Sequence, residues 1–188
     1  MKKPDILNAS DHIDSKLLEN STFFLIGEID EENVGECIRW IAYENMSKKD
    51  GKVLSLYVNS PGGDLYQAFA LIDMMNTSAY PIRTIGIGTV MSAAFLIVAS
   101  GTKGSRYLCP NTSIMCHQLS EGSTESKYHD YKAAMRETEL SHEKMLNILV
   151  GATDKVPSFV KKRLLPPTDV YMTAEEMINF GAADLILE

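Results

Sequence analysis

The sequence predicts an α/β fold built on a mainly parallel sheet, and three observations carry that expectation. Apolar stretches of strand length alternate with stretches of helical period along nearly the whole chain. Glycine-rich turns follow strands and precede helices, and strands alternating with helices imply right-handed βαβ crossovers. No linker, internal repeat or low-complexity tract divides the 188 residues, a length that suits one domain.

Each element follows from its own stretch. Residues 1–20 are polar and weakly patterned and read as an N-terminal arm or loop ahead of a single domain over 21–188. STFFLIGEID predicts a first strand ending in an acidic turn. NVGECIRWIAYENMSK spaces Val34, Cys37, Ile38, Ile41 and Ala42 at helical intervals, an amphipathic helix. KVLSLYVN alternates apolar positions and is rich in large and β-branched residues, a strand stopped by the turn SPGGD. LYQAFALIDMMNTS reads as a helix, PIRTIGIG as a strand and TVMSAAFLIVAS as a buried helix. SRYLCPNTSIMCHQ suggests two short strand pieces around Pro110-Asn111. A long, largely charged helix runs from about Ser126 to Val150, residues 156–164 form a short one, and PPTD breaks it. A short strand, VYMT, follows. Thr173 and Glu176 then form a capping box, Gly181 stands where a helix-ending glycine belongs, and ADLILE is a last strand.

Composition excludes several classes of function. The formal net charge is −7, whereas phosphate-backbone binding needs an excess of Lys and Arg, so no nucleic-acid partner is expected. MSAAFLIVAS, the longest apolar stretch, is far too short to span a bilayer, and the basic start lacks an apolar signal core. Cys37, Cys109 and Cys116 form no CxxC pair and no even framework, which favours a reducing compartment and a cytoplasmic location.

In parallel α/β folds ligands sit beyond the carboxyl ends of strands. Two turns qualify: NSPGGD at 59–64, and GIGTVMS, ending at Ser92. A Pro-Gly-Gly turn serves a tight bend as readily as an anion. The pair Gly86-x-Gly88 lacks the third small residue of a dinucleotide fingerprint, because Met91 stands there, and no GKS or GKT is present. Ser92, at the start of a helix after a glycine-rich turn, is either a cap or packing residue or a nucleophile near the positive helix end. A nucleophile needs a base, and the base an orienting group. Of four histidines, His12 lies in the arm, and His129 and His142 lie on a polar helix. His117 ends an apolar strand and reaches the same sheet edge as the glycine turns. Cys116 beside it points to the opposite face, and Cys109, Cys116 and His117 have the wrong spacing for a metal. For the orienting group there are many Asp and Glu residues to choose from; Asp169, after the PPT break and before VYMT, is structurally pinned yet polar.

VNSPGGDLYQAFALIDMM, GTVMSAAFL, IMCHQ and DVYMTAEEMINFGAADLIL resemble, in order and spacing, the proteolytic subunit of the Clp protease, from about Phe23 to Leu187. That resemblance implies a crotonase-like superhelix of ββα units, with the helix of about 126–150 as a protruding handle and residues 1–20 as a short axial loop. It implies serine-endopeptidase chemistry with Ser92 as nucleophile, His117 as general base and Asp169 as the residue orienting it. Gly62, Gly63 and Ala93 would form the oxyanion and substrate site through the backbone N–H groups of Gly63 and Ala93. No metal and no cofactor is implied for this chain, ATP being used only by a partner hexameric AAA+ unfoldase. The other implied partners are further copies stacked as two seven-membered rings, other Clp peptidase subunits, and unfolded polypeptide substrates. The chain departs from the family at Ala93-Ala94, where Met-Gly is usual, at HQLSEGSTES, and at Thr168, where an Arg commonly precedes the aspartate.

Two other classes stand beside this one. A non-catalytic or regulatory ring subunit would account for the altered flanks of Ser92 and His117. An acyl-CoA enzyme of crotonase type would need a glutamate base near the glycine turns and a basic pocket, and neither is evident.

Overall fold

A computed structural model describes residues 9–46, 51–120 and 127–188. The elements in chain order are α1 (Ala9–Glu19), β1 (Thr22–Ile26), α2 (Glu31–Met46), β2 (Leu54–Ser60), α3 (Leu65–Asn76), β3 (Ile82–Met91) and α4 (Ala93–Ala99). There follow β4 (Arg106–Leu108), β5 (Ser113–Cys116), α5 (Tyr128–Thr153), α6 (Pro157–Arg163), β6 (Val170–Met172), α7 (Ala174–Phe180) and β7 (Leu185–Ile186).

The sheet has the order β1-β2-β3-β4-β7, all parallel, and a branch in which β5 pairs with β3 and, antiparallel, with β6. On β2 the period of two is visible in burial: Leu54, Leu56, Val58 and Ser60 are buried, while the residues between them are half-buried. Helix α4 has no polar face, and all seven of its residues are buried, as expected for a helix enclosed by its own fold. Each of Phe95, Leu96 and Ile97 contributes about 1.5–3 kcal/mol by that burial.

A buried arginine closes the back of the molecule. Arg106 donates from Nε to Asp184 Oδ2 at 2.9 Å and from Nη2 to Asp184 Oδ1 at 2.6 Å. Its Nη1 donates to the carbonyls of Ala99 and Ala152, the former in the last turn of α4 and the latter near the end of α5. One guanidinium thus joins β4, the residue before β7 and two helix ends, with every partner a charge or a carbonyl. Burial disfavours the Asp184 carboxylate, but the bonds from Arg106 win and hold its pKa below the ordinary carboxylate value.

Three expectations need correction. Residues 1–20 are not all loop: Ala9–Glu19 is helical, and residues 1–8 lie outside the described residues. Only Leu17 is even half-buried between Ser10 and Asn20, which is why no apolar period marked the helix. TVMSAAFLIVAS is not one helix, since Thr89–Met91 complete β3 and the helix begins at Ala93. Thr89 and Val90 are β-branched and find ladder partners on β5, which local periodicity did not reveal. The long helix runs from Tyr128 to Thr153, and Ser126 lies outside the described residues. Residues 128–136 are exposed on every side, so this part of α5 stands off the body over about 14 Å. No helix among the described residues is long and apolar enough to cross a membrane.

The C-terminal signals act as read. Thr173 Oγ1 accepts the Glu176 N–H at 3.2 Å, Glu176 Oε2 accepts the Thr173 N–H at 2.8 Å, and Gly181 stands at φ +85°.

Candidate active site

Two strand-to-helix turns meet at the carboxyl edge of the parallel sheet. In the first, β2 ends at Ser60 and Pro61-Gly62-Gly63-Asp64 leads into α3. Asp64 caps that helix, its Oδ1 accepting the N–H groups of Tyr66 at 2.7 Å and Gln67 at 3.2 Å. Ser60 is fully buried, and its Oγ accepts the Gly62 N–H at 3.0 Å, bracing the turn from below.

The two glycines are dictated by space. Gly62 has φ +104°, and a Cβ there would lie 2.6 Å from Ser92 Cβ. Gly63 has φ +149°, and a Cβ would lie 2.4 Å from the Ile29 carbonyl oxygen. Ile29 donates to Gly62 O at 2.8 Å and accepts from the Asp64 N–H at 2.7 Å. In such a parallel bridge the residue between makes neither bond, so the Gly63 N–H faces away from Ile29.

The second turn is Ser92. Its φ of 54° and ψ of −123° lie in a region that a residue with a Cβ rarely adopts, a cost of about 1–3 kcal/mol. Such strain raises the side chain at a sharp strand-to-helix elbow, the arrangement that exposes a nucleophilic serine. The hydroxyl caps nothing in α4. Instead Ser92 Oγ lies 2.7 Å from His117 Nε2. Ala93 is the first residue of α4, so its N–H has no acceptor within the helix.

His117 follows β5, and Asp169 precedes β6. The antiparallel ladder pairs Cys116 with Val170, so the next step along it places His117 opposite Asp169. Their closest approach, Nδ1 to Oδ1, is 3.8 Å, longer than a hydrogen bond. His117 is three-quarters buried, whereas half of the Asp169 side chain is exposed. Gln118 donates from Nε2 to Leu165 O at 2.8 Å, tying the segment after the histidine to the one before the aspartate.

Beside Ser92 lies a cavity of about 240 Å³ whose walls include Leu65, Tyr66, Leu96, Leu119 and Met145. Gly63, Ala93 and His117 line it as well. Cys116 also borders it, but burial pushes its thiol up to about 12 even though the His117 backbone favours the thiolate, so it is no nucleophile near neutrality. A larger cavity of about 660 Å³, between the ends of α3, α4 and α5, contains none of these groups.

The expected residues thus gather at one sheet edge: Ser92 touches His117, Gly62 abuts Ser92, and Gly63 and Ala93 turn toward the same cavity. Asp169 alone stands off. His12 and His129 are exposed on helices, and His142 is half-buried on α5. Sequence reasoning missed Asn59 and Ser60, whose side chains brace the two turns. The available signal was a pair of adjacent polar residues, Asn59 and Ser60, ending a mostly apolar strand. Compared with models of known families, residues 7–188 match the family described as Clp protease.

Proposed function

The chain belongs to the Clp protease family, and from that premise we propose that it is a serine endopeptidase subunit cleaving unfolded polypeptides. The 2.7 Å contact between Ser92 Oγ and His117 Nε2, at a strained elbow beside a cavity, is the observation that carries this reading. Ser92 Oγ attacks the scissile carbonyl while His117 Nε2 takes its proton. The N–H groups of Gly63 and Ala93, free of ladder and helix partners, stabilise the oxyanion. His117 returns the proton to the leaving amine, and water then releases the acyl group from Ser92. Asp169, 3.8 Å from His117 Nδ1, is the carboxylate that would orient the imidazole, a hydrogen bond requiring the gap to close by about 1 Å.

Assembly is part of the proposal. Tyr128, Tyr131 and Met135 lie on the standing part of α5 at i, i+3 and i+7 and are all exposed. Such a stripe supports pairing of two seven-membered rings through their handles. Unfolded chains would be delivered by a hexameric AAA+ ATPase, and this subunit would need no cofactor of its own. Its free cysteines suit a reducing compartment such as the cytoplasm.

Labelling with a fluorophosphonate tests the central step. Ser92 should be modified, and Ser92→Ala should abolish both labelling and peptide hydrolysis. An assembled wild-type protein that does not label would refute the reading. The Asp169 gap favours one second reading, a regulatory subunit in a mixed ring. A mixed ring that keeps full activity when this chain carries Ser92→Ala would favour that alternative.

A further inference from the structure

The two halves of β3 have different neighbours, and one side chain of β2 sits where they part. β2 and β3 run in step from Leu54↔Ile82 to Val58↔Gly86, and pairing resumes at Ser60↔Val90. Across that interval β2 supplies Asn59 alone, whereas β3 supplies Ile87, Gly88 and Thr89. An excess of this kind bends and twists the longer strand. Before the bulge β3 pairs with β4; from the last bulge residue onward, Thr89–Met91 pair with Ser113–Met115 of β5. The change of partner brings the Ser92 N–H to Met115 O at 3.0 Å, two residues from His117.

A bulge leaves backbone donors without ladder partners, and such groups must be satisfied elsewhere. Asn59 does this with its side chain, Oδ1 accepting the Thr89 N–H at 3.0 Å. Gly88 stands at φ +57°, and a Cβ there would lie 2.8 Å from Oδ1 and 3.1 Å from Cγ of Asn59. The amide therefore fills the space left by the absent side chain. Asn59 is itself fixed, since its carbonyl accepts the Gly27 N–H at 3.0 Å. The near side of the bulge is held too: Gly86 O accepts from Thr112 Oγ1 at 3.0 Å and from the Cys109 N–H at 2.9 Å. Asn59 and Gly88 do not line the cavity beside Ser92.

We infer that Asn59 is a positioning residue for the nucleophile: its amide closes the bulge that aims β3 at β5 and so sets the contact between Ser92 and His117. The inference rests on the peptidase reading above. Because Asn59 acts through Thr89 and meets no substrate, its loss lowers the acylation rate and leaves KM in place.

The test compares full-length wild type with Asn59→Leu, which matches the side chain in size but lacks the acceptor, and Asn59→Asp, which keeps it. Fluorophosphonate labelling and steady-state peptide hydrolysis are measured on assembled protein. Asn59→Leu should label and turn over about 10- to 100-fold more slowly, the scale of a displacement near 1 Å, with KM within about twofold. Asn59→Asp should stay within about threefold of wild type, because Oδ1 still accepts the Thr89 N–H. A wild-type kcat in Asn59→Leu, a loss confined to KM, or equal losses in both variants overturns the inference. Where Asn59→Leu does not assemble, Gly88→Ala displaces the same amide: a kcat loss at constant KM supports the inference, and a wild-type rate overturns it. A wild-type protein that does not label removes the peptidase reading instead. A crystal structure of either variant then decides, with loss of the Ser92–His117 contact supporting the inference and its retention overturning it.

Discussion

Replacing Gly62 by alanine places one methyl group against the proposed nucleophile. The added Cβ would lie 2.6 Å from Ser92 Cβ, 2.9 Å from Met91 O and 3.2 Å from Ala93 N. Carbon atoms rest about 3.5–4.0 Å apart, so the overlap with Ser92 is roughly 1 Å, and all three contacts fall on the same elbow. Holding a side chain at φ +104° costs about 1–3 kcal/mol, and overpacking costs about 1–3 kcal/mol more. The sum of about 2–6 kcal/mol only at its top reaches the lower end of a typical folding stability of about 5–15 kcal/mol, so the variant folds. A Tm lower by roughly 5–20 °C follows for a chain of this length. The rate should suffer more, because an elbow pushed aside by about 1 Å loses on the order of 100-fold in acylation. Gly104→Ala is the matched control: it stands at φ +82° with nothing within 4 Å of a Cβ, so it carries the backbone strain without the clash. Scanning calorimetry and fluorophosphonate labelling at 25 °C, below both transitions, separate the two effects. Labelling of folded Gly62→Ala within about twofold of Gly104→Ala would refute the argument that Gly62 exists to let Ser92 approach.

Three further outcomes are expected. The Asp184 carboxyl ionises at lower pH in the folded protein than in the unfolded chain, so the stabilisation from its bonds to Arg106 is complete above the ordinary carboxylate value of about 4. It is lost as pH falls through the depressed folded value, and urea midpoints measured downward from pH 5 should drop less steeply in Asp184→Asn. At pH 7 that variant, leaving Arg106 buried without its counter-charge, should be destabilised by about 3–5 kcal/mol; a midpoint matching wild type would refute the keystone role. The apolar walls supplied by Leu65, Leu96, Leu119 and Met145 should favour peptides with an apolar residue before the scissile bond over the same peptides with Asp there, by at least tenfold in kcat/KM. Equal rates would show that this cavity does not receive that side chain.

Much of the architecture was legible because it is written locally. The alternation along KVLSLYVN, the cap and glycine around TAEEMINFG, and the helical spacing of NVGECIRWIAYENM depend on neighbours within a few residues, which is the range over which capping and period act. That Ser92, His117 and Asp169 lie near one another could be anticipated because each ends or begins an element at the edge where βα turns gather, and because their motifs keep a family's order. α1 escaped notice because a helix that buries almost nothing leaves no apolar period to read.

What the sequence could not decide depends on partners far along the chain. That β3 continues to Met91, leaving β4 for β5 at a bulge filled by Asn59, follows from hydrogen-bond register. Nothing in GIGTVMS reports that register, since the partners lie some thirty residues before it and twenty-five after. The positive φ at Ser92 has the same origin: its N–H is tied to Met115 O, and Gly62 leaves room for its Cβ. The distances within the site belong to the same class: 2.7 Å from Ser92 to His117 is set by the ladder between β3 and β5. The 3.8 Å from His117 to Asp169 lies just past the end of the ladder between β5 and β6. Residue identity chose which groups meet at this sheet edge; strand register, a non-local property, decided how closely.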